Sequence, residues 1–110
     1  MYVVVEHHAY FKKAQKLMTA EQMNEVVEMV ARDPLIGEVM AGTGGIRKFR
    51  YAAKEGRGKS AGVRIIYLVV TNKGVIHIID VFGKNKKTNL SGTDKNMLEK
   101  LSRLLKGEIT

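Results

Sequence analysis

Residues 42–67 read GTGGIRKFRYAAKEGRGKSAGVRIIY, and this stretch decides how the rest of the chain is interpreted. Residues 46–53 and 63–71 are rich in β-branched and aromatic side chains, which predicts two strands. The cationic, glycine-containing segment between them predicts a long loop. Because side chains alternate along a strand, Lys48 and Arg50 are expected to share one face of the first strand.

Basic side chains are concentrated in this stretch and in a second, shorter one. Residues 47–64 contain seven lysines and arginines and one acid, and residues 83–87 (GKNKK) contain three lysines. The net charge of the 110-residue chain is +8, so the remainder of the chain is nearly neutral. Concentrated positive charge is typical of proteins that bind polyanions, because neutralising phosphates releases condensed counterions. The sequence therefore predicts nucleic-acid binding.

The remaining patterns predict one α+β domain over residues 1–110. Residues 2–5 predict a first strand, and two helices follow in tandem, the second opened by a capping box at Thr19 and ended before Asp33-Pro34. Residues 74–82 predict a further buried strand, and Ser91 or Thr93 is expected to cap a last helix. The predicted order is βααβββα, an antiparallel meander with an N-terminal helical hairpin and a C-terminal helix.

Several classes of site are excluded by composition or spacing. The chain has no cysteine and therefore no disulfide framework or thiolate metal site. The three histidines (His7, His8 and His77) lack metal-ligand spacing, and no cofactor is expected. Residues 58–60 (GKS) do not complete a phosphate-binding loop, because Ala53 replaces its first glycine and a strand follows. Without a membrane-spanning apolar run or a signal-peptide pattern, we expect a cytoplasmic protein with no membrane association.

The basic cluster suits one reaction class in particular. Lys48 and Arg50 share a strand face, Arg64 begins the strand that returns from the loop, and Lys84 follows the next strand. Adjacent strands of one sheet would bring all four to a common surface. Guanidinium groups bind phosphate bidentately and stabilise the charge that develops during phosphodiester cleavage. These four residues are therefore the candidate catalytic group.

Two stretches, GTGGIRKFRYAAKEGRGKSAGVRIIY and IIDVFGKNKKTNLS, resemble the RelE/ParE superfamily of bacterial toxins, most closely its HigB-type branch. The resemblance covers nearly the whole chain and depends on the glycine-rich entry, the K-x-R strand, the G-x-R-I-I-Y strand and the F-G-K-N corner. It implies a RelE-like fold and a toxin of a type II toxin–antitoxin pair. Such a toxin enters the ribosomal A site and cleaves mRNA through the RNA 2′-hydroxyl without a metal. It also implies a cognate antitoxin and a toxin–antitoxin hetero-oligomer.

The resemblance assigns roles by position. Lys48 and Arg50 match strand residues that act as base and phosphate ligands, and Arg64 matches the arginine that stabilises the transition state. Lys84 and Asn85 occupy a corner where the RelE prototype has a lysine and then an arginine.

This chain departs from the RelE pattern at the corner. Asn85 cannot donate a proton as a cation would, so Lys84 or Lys86 would have to protonate the leaving oxygen. The tyrosine that stacks on a base in RelE is absent, which leaves Tyr51, Tyr67 and Phe82 as candidates for stacking. We expect further RNA contacts from the neighbouring polar and basic side chains: Arg47, Lys54, Arg57, Lys59, Asn85, Lys86 and Lys87.

Two other functions remain open at this level. A ParE-like toxin would inhibit DNA gyrase by binding, without nuclease chemistry, although its relatives generally lack the cluster on the central strands. A non-enzymatic module could bind RNA or the ribosome through the same basic sheet.

Overall fold

The computed structural model describes residues 1–52, 62–83 and 90–109. Three helices and a five-stranded sheet form over these ranges, which confirms the predicted α+β class. The elements in chain order are β1 (Val3–Glu6), α1 (His8–Leu17), α2 (Ala20–Arg32), β2 (Glu38–Val39), β3 (Arg47–Tyr51), β4 (Val63–Val70), a 3₁₀ turn (Thr71–Lys73), β5 (Val75–Gly83) and α3 (Gly92–Leu105). The two-residue strand β2 was not predicted, because residues 35–40 have no alternating pattern.

The strands lie in the order β1-β5-β4-β3-β2. Strands β3 to β5 form the predicted antiparallel meander, and β2 extends it by pairing antiparallel to β3. Strand β1 instead pairs parallel to β5 at the far edge. The sheet is therefore mixed. The direction of β1 was not predictable, since its partner lies about 70 residues away in the sequence and no tight turn joins the two strands.

Local signals explain where the helices begin and end. Thr19 and Gln22 form the predicted capping box of α2, in which each side chain bonds the backbone N–H of the other residue. Ser91 and Asp94 form a second capping box, so Ser91 is the N-cap of α3. Helix α2 ends at Arg32, as expected ahead of Pro34, because proline disfavours a helical conformation in the residue before it.

The sheet separates two hydrophobic cores. One face packs against α1 and α2, and the larger core there includes Tyr10, Val26 and Tyr67, all fully buried. The other face packs against α3 around Ile46 and Ile66. Strand β4 contributes to both cores and is buried at almost every position, as its continuous apolar sequence predicts. Strand β4, which carries Arg64, is thus anchored in both cores.

The glycine-rich entry to β3 ties α3 to the sheet. Gly42, Gly44 and Gly45 have φ of 76°, 75° and 97°, a left-handed region that glycine adopts at no steric cost. The Gly44 carbonyl accepts hydrogen bonds from Ser102 Oγ (2.7 Å) and Lys106 Nζ (2.9 Å). These bonds hold α3 beside the start of β3.

Candidate nucleic-acid interface

Three of the four candidate catalytic residues lie together on the α3 side of the sheet. Arg50 on β3 is the direct cross-strand partner of Arg64 on β4. In such pairs the Cβ atoms are about 5 Å apart. Lys48 precedes Arg50 by two residues on the same face, roughly 7 Å along the strand. The structure therefore brings Lys48, Arg50 and Arg64 into one triangle at the end of the sheet.

The pairing of two arginines has an energetic consequence. Like charges directly opposite each other on a sheet are destabilising by roughly 0.2–1 kcal/mol. Within the described ranges, the side chains of Arg64 and Lys48 form no hydrogen bond or ion pair with another residue, whereas Arg50 does interact with one. An anion placed over these side chains would offset the repulsion. The charges of Lys48 and Arg64 thus suit the binding of a phosphate.

A groove of about 330 Å³ adjoins the cluster, between β2 and the start of α3. Lys48 lines it together with Lys95 from the first turns of α3 and Leu90 just before that helix. Glu38 also lines the groove and is the register partner of Lys48 across β2 and β3. Glu38 and Lys95 were not predicted from the sequence, because neither the strand β2 nor the position of α3 follows from a local pattern.

Arg47 does not join the cluster. It alternates to the opposite face of β3, where its guanidinium donates a 2.5 Å hydrogen bond to the Gly37 carbonyl. Strand alternation explains this placement, since odd and even positions of β3 face different cores. Arg47 therefore holds the chain ahead of β2, on the face opposite Lys48 and Arg50, and its predicted RNA contact stays a prediction.

The three stacking candidates are separated by the sheet. Tyr51 and Tyr67 are buried in the α1–α2 core, and Tyr51 donates a 2.5 Å hydrogen bond to Glu25. Burial, together with Glu25, raises the pKa of Tyr51 well above its usual range. Phe82 is the register partner of Arg64, packs partly on the α3 core and lies 4.4 Å from Lys13 Nζ. Of the three, only Phe82 borders the cluster.

The remaining candidates lie outside the described residues. They are Lys54, Arg57 and Lys59 in the loop between β3 and β4, and Lys84, Asn85, Lys86 and Lys87 after β5. Their roles stay predictions. Both segments connect to strand ends that carry the cluster, since β4 starts at Val63 and β5 ends at Gly83.

Two histidines that are distant in the sequence form a pair at the other end of β5. His7 Nε2 lies 2.8 Å from His77 Nδ1, so one ring donates a hydrogen bond to the other. Burial lowers the pKa of both imidazoles, and His7 and Lys73 lower that of His77 further. Among the described residues, no group of three or more histidines and carboxylates is arranged to hold a metal ion.

Solved structures give an independent comparison, whereas no protein-family model matches the sequence. The chain is similar to RelE in the intact Escherichia coli RelBE toxin–antitoxin complex, with 22% identity, a TM-score of 0.59 and coverage of 78% of this chain and 100% of that one. A mutant of E. coli RelE in the free state, with two arginines replaced by alanine, gives 21% identity and a TM-score of 0.59. The match covers 94% of this chain and 97% of the mutant. Isolated E. coli RelE gives 21% identity, a TM-score of 0.58 and coverage of 80% of this chain and 89% of RelE.

These comparisons test the expected fold over most of both chains. The helices of the described residues include none long and apolar enough to cross a membrane. The HigB-type branch remains a prediction, because the similar structures are RelE itself. The chain has the fold of the RelE toxin, as its sequence predicted.

Proposed function

We propose that this protein is the toxin of a type II toxin–antitoxin pair and inhibits translation as a ribosome-dependent mRNA endoribonuclease. One observation carries the proposal: Arg50 and Arg64 are direct cross-strand partners, with Lys48 beside them on the same face. Gyrase inhibition requires no such group. The fold shared with RelE supports the same activity.

The proposed reaction needs only the RNA and protein side chains. The ribose 2′-oxygen attacks the adjacent phosphorus, and the bond from phosphorus to the 5′-oxygen of the next nucleotide breaks. A base takes the 2′-hydroxyl proton, and an acid protonates the departing 5′-oxygen, so the products are a 2′,3′-cyclic phosphate and a 5′-hydroxyl. Arg64, aided by Arg50, stabilises the additional negative charge through bidentate hydrogen bonds to the non-bridging oxygens.

The base has two candidates. Arginine cannot serve, because its guanidinium stays protonated in proteins. Lys48 is the candidate base from the sequence. Glu38 is added because it lies opposite Lys48 in the register of β2 and β3 and lines the same groove. For the acid we propose Lys84, which lies outside the described residues, with Lys95 as a second cation at the groove.

The proposed partners are the ribosomal A site, its mRNA and a cognate antitoxin. Two of the similar structures contain RelE in complex with RelB or a RelB peptide. The net charge of +8 favours an acidic antitoxin segment, because opposite charges speed association and mask a cationic site. Such a toxin would act in the cytoplasm, where translation occurs.

The test is primer extension on an mRNA in a reconstituted translation system, with and without ribosomes. Wild type is compared with Arg64→Ala and with Arg32→Ala. The second variant removes the same charge at the exposed end of α2, on the other side of the sheet. We expect cuts in register with codons that require ribosomes, persist in Arg32→Ala and fall by about 100-fold or more in Arg64→Ala.

Other outcomes point to other functions. Cuts without ribosomes would identify a free ribonuclease. Absence of cuts together with inhibition of purified gyrase would replace the proposal with a ParE-like activity. Ribosome binding that persists in Arg64→Ala, without cleavage by either protein, would identify a binding module.

A further inference from the structure

A second site lies between α1 and α2, on the face of the sheet opposite the basic cluster. The helices border a cleft of about 480 Å³. Phe11, Met18 and Met23 form its apolar walls, and Glu6 at the end of β1 reaches it from the sheet. A volume of this size lies within the usual range for sites that hold small molecules.

The charge of this cleft is opposite to that of the cluster. Within the described part of the chain, the side chain of Glu6 forms no hydrogen bond or ion pair. Burial raises the pKa of this carboxyl above its ordinary value. A partly buried carboxylate without a partner loses hydration that nothing in the protein replaces. A ligand that carries a cation would restore that interaction.

Tyr10, four residues after Glu6, is a second polar group without a partner in the described part of this region. Its side chain is fully buried, and its hydroxyl has no hydrogen-bond partner among the described residues. Glu6 lies close enough for its charge to raise the pKa of Tyr10, in addition to the effect of burial. Buried polar groups are nearly always paired, so an unpaired buried hydroxyl is unusual. Tyr10 does not itself line the cleft, and Glu6 is the group that a ligand there would meet.

We propose that the cleft between α1 and α2 binds a small aliphatic amine, with Glu6 as the counter-ion of its ammonium group. A protonated amine would donate a charge-assisted hydrogen bond to the carboxylate. Its carbon chain would contact Phe11, Met18 and Met23. Gln15 and Asn24 also line the cleft and could form hydrogen bonds with a polar group at the other end of the ligand's carbon chain. This proposal is independent of the nuclease activity.

The test is an NMR titration of the full chain, observing the methyl signals of Met18 and Met23. The probes are n-butylammonium and n-butanol, which have the same carbon chain but differ in charge. Glu6→Gln is compared with Glu21→Gln, which removes an exposed acid of α2 that does not line the cleft. We expect saturable shifts with the amine, none with the alcohol, and a loss of affinity of about tenfold or more only in Glu6→Gln.

Three results would overturn the proposal: no saturable shifts with the amine, equal binding of the alcohol, or equal affinity in the two variants. Glu6→Gln is expected to fold, because burial already favours the uncharged form of this carboxyl. The unchanged spectrum of the rest of the chain checks this directly. If the amine binds, titration with Nα-acetyl-lysine amide, whose side-chain ammonium group is intact, then shows whether a peptide lysine enters the cleft as the free amine does.

Discussion

Tyr67→Phe is expected to destabilise the protein and to loosen the segment that leads into β2. The Tyr67 hydroxyl donates a 2.8 Å hydrogen bond to the Pro34 carbonyl and accepts one of 2.9 Å from the Gly37 N–H. The side chain is fully buried in the α1–α2 core. Phenylalanine keeps the ring and its packing but removes the oxygen that joins β4 to the chain ahead of Glu38.

The magnitude follows from what is left unpaired. Gly37 is buried, so its N–H loses a partner without gaining water, at a cost of about 1–3 kcal/mol. Pro34 is only half-buried, so water can reach its carbonyl and the lost bond costs about 0.5–1.5 kcal/mol. We therefore expect a loss of roughly 1.5–4.5 kcal/mol in the free energy of unfolding. For a domain of this size, each kcal/mol lowers Tm by about 4 °C.

Tyr10→Phe is the matched control, since it removes the same atom from another fully buried tyrosine. The Tyr10 hydroxyl has no partner among the described residues, so its removal relieves a desolvation cost and should leave stability unchanged or raised. Urea unfolding followed by circular dichroism measures both variants, and equal m-values would show that the unfolded states are comparable. Equal destabilisation by the two substitutions would refute the hydrogen-bond argument. It would show that removing a hydroxyl costs the same whether or not that hydroxyl has hydrogen-bond partners.

Four further predictions concern the site and the strand ends. Arg64→Lys keeps the charge but loses the bidentate fork, so single-turnover cleavage should slow by about 100-fold with little change in RNA affinity; an unchanged rate would exclude bidentate stabilisation. Raising salt from about 50 to 200 mM should weaken RNA binding roughly tenfold or more in filter binding, and a flat profile would argue against phosphate contacts. Because the pKa values of His7 and His77 are lowered by folding, the unfolded state binds protons first, and stability should fall as pH drops below about 6.5. His77→Gln should flatten that slope in urea unfolding. Gly62→Ala would place a Cβ 2.5 Å from the Tyr51 carbonyl oxygen, at a φ of 105° that alanine rarely adopts. It should lower the free energy of unfolding by about 1–3 kcal/mol, and an unchanged free energy would contradict this.

Much of the fold was predictable because its signals are local. The capping box at Thr19 and the serine at position 91 define helix starts through hydrogen bonds three residues apart. The continuous apolar sequence of β4 predicts a strand covered on both faces. The predicted elements therefore recur in the structure within a few residues of their expected bounds.

The candidate site was predictable only in part. Alternation predicts that Lys48 and Arg50 share a face, because that relation is set within one strand. It does not specify the register between strands, so the direct opposition of Arg50 and Arg64 emerges only from the folded sheet. Alternation also turns Arg47 to the other face, where the Gly37 carbonyl accepts its hydrogen bond.

By itself, the sequence determined the class of fold, the helix ends and the placement of positive charge, because each depends on residues a few positions apart. The tertiary structure alone decided the parallel pairing of β1, the strand that carries Glu38, and the contact of His7 with His77. These features join residues that lie far apart along the chain. Their geometry depends on how two cores pack on one sheet, and no local pattern of side chains encodes that packing.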